Sequence, residues 1–209
     1  MTTLSDSEIL EFLREKKLVI TNLPADNIQL GSVDLTLGET IEVVTGNEPI
    51  DISTISKDEI KQRTEEVNIK DGYELKPSEI VTGYSSEKIE MPSDLNGIIV
   101  NRNSLAKIGI DAAISQYINP GFAGHKIIVI KNISNRVIRI KSGIRICSLV
   151  LFRVGNSSIR SYYSRHDSSK IFNYINSKEM ELDVSKDNRK IDSSLADFMN
   201  ERIDAMAGK

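Results

Sequence analysis

Two short stretches carry the side chains best suited to chemistry. Arg102-Asn103-Ser104-Leu105-Ala106-Lys107 sets a hydroxyl between two cations on what reads as a turn entering a short helix. The Ser104 hydroxyl and the amides around it can face an anion at a helix start. Arg102 and Lys107 supply donors suited to phosphate oxygens. The same residues would also serve as a polar cap with two solvated cations, and spacing alone does not separate the two readings. The second stretch, Ile118-Asn119-Pro120-Gly121-Phe122-Ala123-Gly124, is a glycine-flanked turn running into a strand. Gly121 and Gly124 permit positive φ or close backbone approach, and Pro120 fixes its own φ. Tyr117 or Phe122 could show an aromatic face to a base, although an aromatic beside such a turn is more often core.

Other reactive types are scarce. Cys147 is the single cysteine, so neither an intrachain disulfide nor a cysteine zinc site is available. It sits in the apolar run IRICSLVLF, which predicts a buried, inert thiol. Two histidines, His125 and His166, are too few for a His-rich metal centre. His125 reads as a structural or surface residue.

The elements that must hold these stretches are mostly strands. Apolar, β-rich runs recur at 18–21, 33–37, 41–44, 80–84, 97–100, 126–130, 137–140 and 146–152. Gly38, Gly46-Asn47, Asn135 and Ser142-Gly143 read as the turns between them. Many short strands at this spacing favour a barrel or double-sheet β architecture over alternating β–α units. Ser5-Asp6-Ser7-Glu8 reads as a capping box opening a short amphipathic helix. Residues 53–70 are charged, with little apolar period, and read as a surface excursion with partial helix. At the far end Leu195, Phe198, Met199, Ile203 and Met206 share one helical face, with Asp192 or Ser193 as cap.

Bulk properties set the class. Of 209 residues, 39% are hydrophobic and 27% charged, which suits one full-sized domain with its own core. A formal charge of −3 gives no basic surface for nucleic acid or an anionic membrane. The N-terminus has no apolar signal region, and no apolar span is long enough for a membrane helix. A reducing, cytoplasmic setting is the default expectation.

In combination the motifs resemble the dCTP deaminase and dUTPase superfamily, dCTP deaminase above all. The family's paired GRSSLAR-like and IDPGFSGH-like segments correspond to NRNSLAKIG, INPGFAGH and the following KIIVI. SDSEI at 5–9, SVDLTLG at 32–38, LKPSEIVTGYSSEKIEMPSDLNGIIV before the site and IKSGIRICSLVLFRV after it fall in the same order. Tyr163-Ser164-Arg165 with Ser169-Lys170 is similar to the C-terminal segment that folds over bound triphosphate. The resemblance spans roughly residues 4–175. It implies a mainly β fold: a distorted jelly-roll, dUTPase-like β-clip barrel with short N-terminal and C-terminal helices. Residues 1–175 would form that domain and 176–209 an extension with an amphipathic helix. It further implies a homotrimer with sites between subunits, and dCTP, dUTP or dTTP as ligand with Mg2+ on the phosphates. The nucleotide-binding positions it assigns are Arg102, Ser104, Lys107, Asn119, Tyr163 and Lys170.

The proton-handling positions depart from the pattern. The resemblance places the family's general-base glutamate at Val129, and KIIVI holds no carboxylate. Its serine before Ser104 is Asn103, and its later arginine is Lys107, which keeps charge but loses the bidentate fork. The aspartate that orients water in dUTPases is Asn119. The segment from Lys107 to Asn119 is also one residue shorter than the pattern. Losing a general base alone slows a reaction by about 10²–10⁴-fold. The leading expectation is therefore a binder or regulatory homologue, a pseudoenzyme on an enzyme's fold. Two alternatives stay open: an active deaminase or dUTP-hydrolysing enzyme with a rearranged site, in which Asp111 or Asp34 could serve, and a structural or partner-binding trimer without nucleotide.

Overall fold

Ser5 starts the first helix as its sequence requires. Its hydroxyl accepts from the Glu8 amide at 3.4 Å, and the Glu8 carboxylate accepts from the Ser5 amide at 3.0 Å. Helix α1 (Asp6–Arg14) then buries Ile9 and Phe12. The computed structural model describes residues 2–155. After α1 come β1 (Val19–Ile20), a 3-10 turn (Ala25–Asn27), β2 (Ile28–Gln29), β3 (Ser32–Val44), α2 (Lys57–Gln62), β4 (Thr64–Asn68) and β5 (Tyr73–Leu75). The chain continues through β6 (Ile80–Glu90), β7 (Leu95–Asn101), α3 (Asn103–Ala106), β8 (Ile110–Asp111), β9 (Tyr117–Ile118), β10 (Ala123–Asn132), β11 (Ile138–Ile140) and β12 (Arg145–Arg153).

Every ladder is antiparallel. The main sheet runs β8-β10-β6-β3-β12-β7-β9, with β1 on β6 and both β2 and β4 on β3; β5 and β11 form a separate pair. β3 is the strand that bends this sheet into a barrel. Its first half pairs with β12 through Val33–Thr36, and its second half pairs with β6 through Leu37–Val43. Leu35, Leu37 and Ile41 of β3 meet Ile89, Leu149 and Leu151 in one buried cluster. Each fully buried aliphatic side chain is worth about 1.5–3 kcal/mol of transfer free energy.

Two expectations change. Gly38 is not a turn: runs 33–37 and 41–44 are one strand passing straight through it. A Cβ there would stand 3.0 Å from the Tyr84 carbonyl oxygen and 3.2 Å from its ring, so glycine is what lets β6 close on β3. The excursion at 53–70 does contain a helix, α2, again opened by a capping box, Ser56 with Glu59. Its second half, however, is edge strand β4. An edge strand held through its backbone needs little apolar pattern, and Thr64-Glu65-Glu66-Val67-Asn68 shows little. Residues 192–206, read as a helix, lie outside the described residues.

Candidate functional site

β7 ends at Asn101, and the chain turns at Arg102 into the single helical turn α3. The turn lies against a cleft of about 350 Å³ lined by Ser32 and Asp34 of β3, Asn101, Arg102, Asn103 and Ser104, and Ser148 of β12. Arg102, Asn103 and Ser104 are thus together, with Asn103 and Ser104 exposed. One turn of helix has little macrodipole, so side chains and the first amides must do any anion holding.

Arg102 does not enter this cleft as a free cation. Its Nε lies 3.2 Å from Oδ2 of Asp34, and its Nη1 donates to the Arg145 carbonyl at 3.1 Å. Asp34 is only 3% exposed and also takes the Ser148 hydroxyl at 2.6 Å and Arg145 Nη1 at 3.4 Å. Two guanidiniums and a hydroxyl therefore converge on one buried carboxylate, leaving a positive surplus at the cleft wall. Lys107 closes α3, is exposed, and makes no ion pair among the described residues. Asp34, which the sequence offers only as an alternative acid, is instead the residue that ties Arg102 and Arg145 together.

The second stretch forms the turn between β9 and β10. Asn119 is exposed, and its carbonyl accepts from the Phe122 amide at 3.2 Å. Gly121 has φ of 74° and Gly124 has φ of 152°, so both glycines take the backbone freedom expected of them. Of the two aromatics, Phe122 is 9% exposed and belongs to the core, whereas Tyr117 is 51% exposed. His125 is structural: Nδ1 lies 2.9 Å from the Ser85 carbonyl oxygen and its ring meets Tyr84 edge-on.

β10 alternates strictly. Gly124, Lys126, Ile128, Ile130 and Asn132 are buried, while Ala123, His125, Ile127, Val129 and Lys131 lie on the half-exposed face. Val129 is opposite Thr82 of β6, and Lys131 is opposite Asp111 of β8. α3 packs against β8, so the Arg102–Lys107 turn and the Val129 strand are separated by one short strand. Val129 is not among the residues lining the cleft beside Ser104. Tyr163 and Lys170 lie outside the described residues.

Lys126 was not singled out from sequence. Its Nζ donates to the Ser115 hydroxyl at 3.2 Å and the Tyr117 carbonyl at 3.3 Å, and the residue is 6% exposed. Burial pulls the amine down to about 8. Residues 127–130 are aliphatic on both phases, so strand period alone does not mark position 126 as inward. Cys147 is buried as expected, and burial pushes its thiol up to about 12. No group of three or more His, Cys, Asp or Glu side chains that could hold a metal ion occurs among the described residues. No helix among them is long and apolar enough to cross a membrane.

The chain matches the dCTP deaminase-like family over residues 3–154. It belongs to that family. A dUMP-forming dCTP deaminase of Dictyoglomus turgidum is 33% identical over 169 residues, covering 78% of this chain and 86% of the relative. A dUMP-forming dCTP deaminase of Coprothermobacter proteolyticus is 34% identical over 149 residues, covering 70% and 79%. Among solved structures, the 2'-deoxycytidine 5'-triphosphate deaminase of Agrobacterium tumefaciens superposes with a TM-score of 0.59 at 22% identity, covering 73% of this chain and 48% of that one. The fold is thus the dCTP deaminase fold, and the matched span contains both candidate stretches. In this dCTP deaminase-like chain β10 carries no acidic residue, and Val129 sits between Ile127 and Lys131 on its half-exposed face.

Proposed function

We propose that this dCTP deaminase-like protein binds a deoxypyrimidine triphosphate (dCTP, dUTP or dTTP) and performs the family's deamination or hydrolysis weakly. One observation carries this reading: a cleft lined by Ser104, Asn103 and Arg102, whose Asp34 is also held by Arg145, stands one strand away from a β10 whose outward face offers no carboxylate. Hydroxyl, amide and cation suit phosphate oxygens, whereas Val129 and Asn119 cannot accept and return a proton. Binding would be completed by Lys107 and by Tyr163 and Lys170 from the C-terminal segment. We assign the chain to a cytoplasmic homotrimer with pockets between subunits, residues 176–209 forming an extension to the domain. Magnesium fits here as a companion of the phosphates, because Asp34, the cleft's carboxylate, is occupied by two arginines. It would offset phosphate charge.

Titration calorimetry and thermal shift with dCTP, dUTP and dTTP, each with and without magnesium, test the reading. Heat and a shift with at least one nucleotide are expected; neither with any of the three removes it. Mass by light scattering tests the trimer, and deletion of residues 190–209 tests whether the extension supports it. A second reading, a working enzyme with a rearranged site, is favoured by the deaminases of Dictyoglomus turgidum and Coprothermobacter proteolyticus at a third identity. Ammonia or diphosphate release comparable with that of Val129→Glu, Asn119→Asp would favour it.

A further inference from the structure

The carboxylates around the cleft and the barrel strands differ sharply in how they are held. Glu87 is fully buried and committed to Thr36, accepting its amide at 3.0 Å and its hydroxyl at 2.6 Å. Asp34 is held by Arg102, Arg145 and Ser148. Glu42 shares the face of Val129 through Thr82, but it is 6% exposed and stands two strands away, about 9–10 Å by strand spacing.

Asp111 is placed differently. It lies directly across from Lys131 on β8, so it is the diagonal neighbour of Val129 on the same half-exposed face, about 7–8 Å away. One oxygen, Oδ1, accepts from Asn101 Nδ2 at 2.9 Å and from the Ala113 amide at 3.0 Å. The Asn101 side-chain oxygen takes the Ala112 amide at 2.7 Å, which locks the carboxylate's carrier in turn. Oδ2 has no hydrogen-bond partner among the described residues. Asn101 also lines the cleft beside Ser104. A short, oriented carboxylate with one open oxygen therefore stands between the cleft and the strand that lacks an acid.

We infer that Asp111 is the proton-handling residue for whatever turnover this protein retains, replacing a base on β10 with one on the neighbouring strand. The inference rests on the nucleotide-binding reading. Water adds its oxygen to the amino-bearing carbon of the pyrimidine while Oδ2 of Asp111 takes one of its protons. That proton passes to the ring nitrogen, and the second water proton leaves with the amino group. The new C–O bond replaces the C–N bond, giving dUTP and ammonia with no redox partner. Asn101 acts as a positioning residue.

The test measures ammonia release from dCTP at high enzyme concentration, with calorimetry of dCTP on each variant. Wild type is expected to release ammonia slowly. Asp111→Asn, nearly isosteric, should bind dCTP within a few-fold of wild type and lose about 100-fold or more in rate. Asp111→Ser, which keeps an acceptor for the Ala113 amide, is the second variant should the first misfold. Adding Val129→Glu to Asp111→Asn should restore product. Unchanged ammonia release in both Asp111 variants overturns the assignment and leaves the binding reading standing. So does a wild-type protein that binds dCTP and releases none. Absence of dCTP binding in wild type overturns both.

Discussion

The Lys126 ammonium reaches from the barrel interior to the Tyr117 carbonyl, 3.3 Å away, and tethers β9 to β10 without any carboxylate within ion-pair distance among the described residues. Tyr117 is held at its other end as well, since its hydroxyl accepts from Asn96 Nδ2 at 3.1 Å. Asn96 Oδ1 is the one buried side-chain polar atom among the described residues with no partner. Two buried polar groups thus fix the backbone that leads into the Asn119–Gly121 turn.

Stability should consequently depend on pH in an unusual sense. The folded state holds Lys126 at about 8 against an ordinary 10.5, so it releases its proton before the unfolded chain does. Stability from this group therefore rises between pH 8 and 10.5, by roughly 3 kcal/mol at 1.36 kcal/mol per pKa unit. Cys147 acts oppositely: the folded thiol keeps its proton to about 12 and the unfolded one loses it near 9, so its contribution falls as pH rises through that window. Urea denaturation across pH 7–10.5 should show a rise that levels off above pH 9. The wild-type minus Lys126→Met difference should keep rising. A flat difference would rule out a buried, titrating Lys126.

Asp34 and Arg102 should prove energetically coupled. Removing the Asp34 charge leaves Arg102, whose side chain is 23% exposed, beside an uncompensated Arg145. Asp34→Asn is expected to cost about 2–3 kcal/mol. A double-mutant cycle with Arg102→Ala should return a coupling above about 1 kcal/mol. Additive values would mean the pair contributes no specific contact.

The two glycines Gly109 and Gly46 give a matched comparison. Both have positive φ, 93° and 84°. A Cβ on Gly109 would meet Ser134 Cβ at 2.5 Å and its backbone nitrogen at 3.0 Å, whereas one on Gly46 meets nothing within 4 Å. Gly46→Ala should cost about 1–2 kcal/mol, the penalty of the left-handed conformation alone. Gly109→Ala should cost clearly more and loosen the loop between β10 and β11 against α3. Equal melting temperatures would contradict the packing at Ser134.

Thiol labelling offers a simple check of the core. Cys147 is fully buried with its thiol pushed up to about 12, so a disulfide reagent at pH 8 should label native protein only at the rate of unfolding. One thiol per chain should react at once in denaturant. Fast labelling under native conditions would show that β12 opens locally.

Much of the architecture could be read from residue order, and the reasons it failed elsewhere are physical. Continuous β-rich aliphatic runs exposed β10 and β12, and Ser5 with Glu8 fixed α1, because these signals are local. β4 escaped because an edge strand is specified by its partner's backbone. Gly38 misled because a glycine that admits a neighbouring strand looks like one that makes a turn. At the site, Arg102, Asn103 and Ser104 were legible as a cluster. The partners that set their charge, Asp34 and Arg145, lie far away in sequence and meet them only through β3 and β12. Asp111 was visible as a carboxylate, but its clamp by Asn101 and its register with Lys131 exist only in three dimensions.

β3 belongs to both halves of the barrel, and this has a kinetic consequence. At its bend Thr36 pairs with Arg145 of β12 while giving its amide to Glu87 of β6. Neither half can be finished without the same thirteen residues, and their partners on β6 and β12 are 38 or more positions away. Loop closure must precede most of the stabilising contacts, which places this chain among slow folders of high contact order. Amide protons along β3 should then exchange only through global opening, making that strand the last to be released when the protein unfolds.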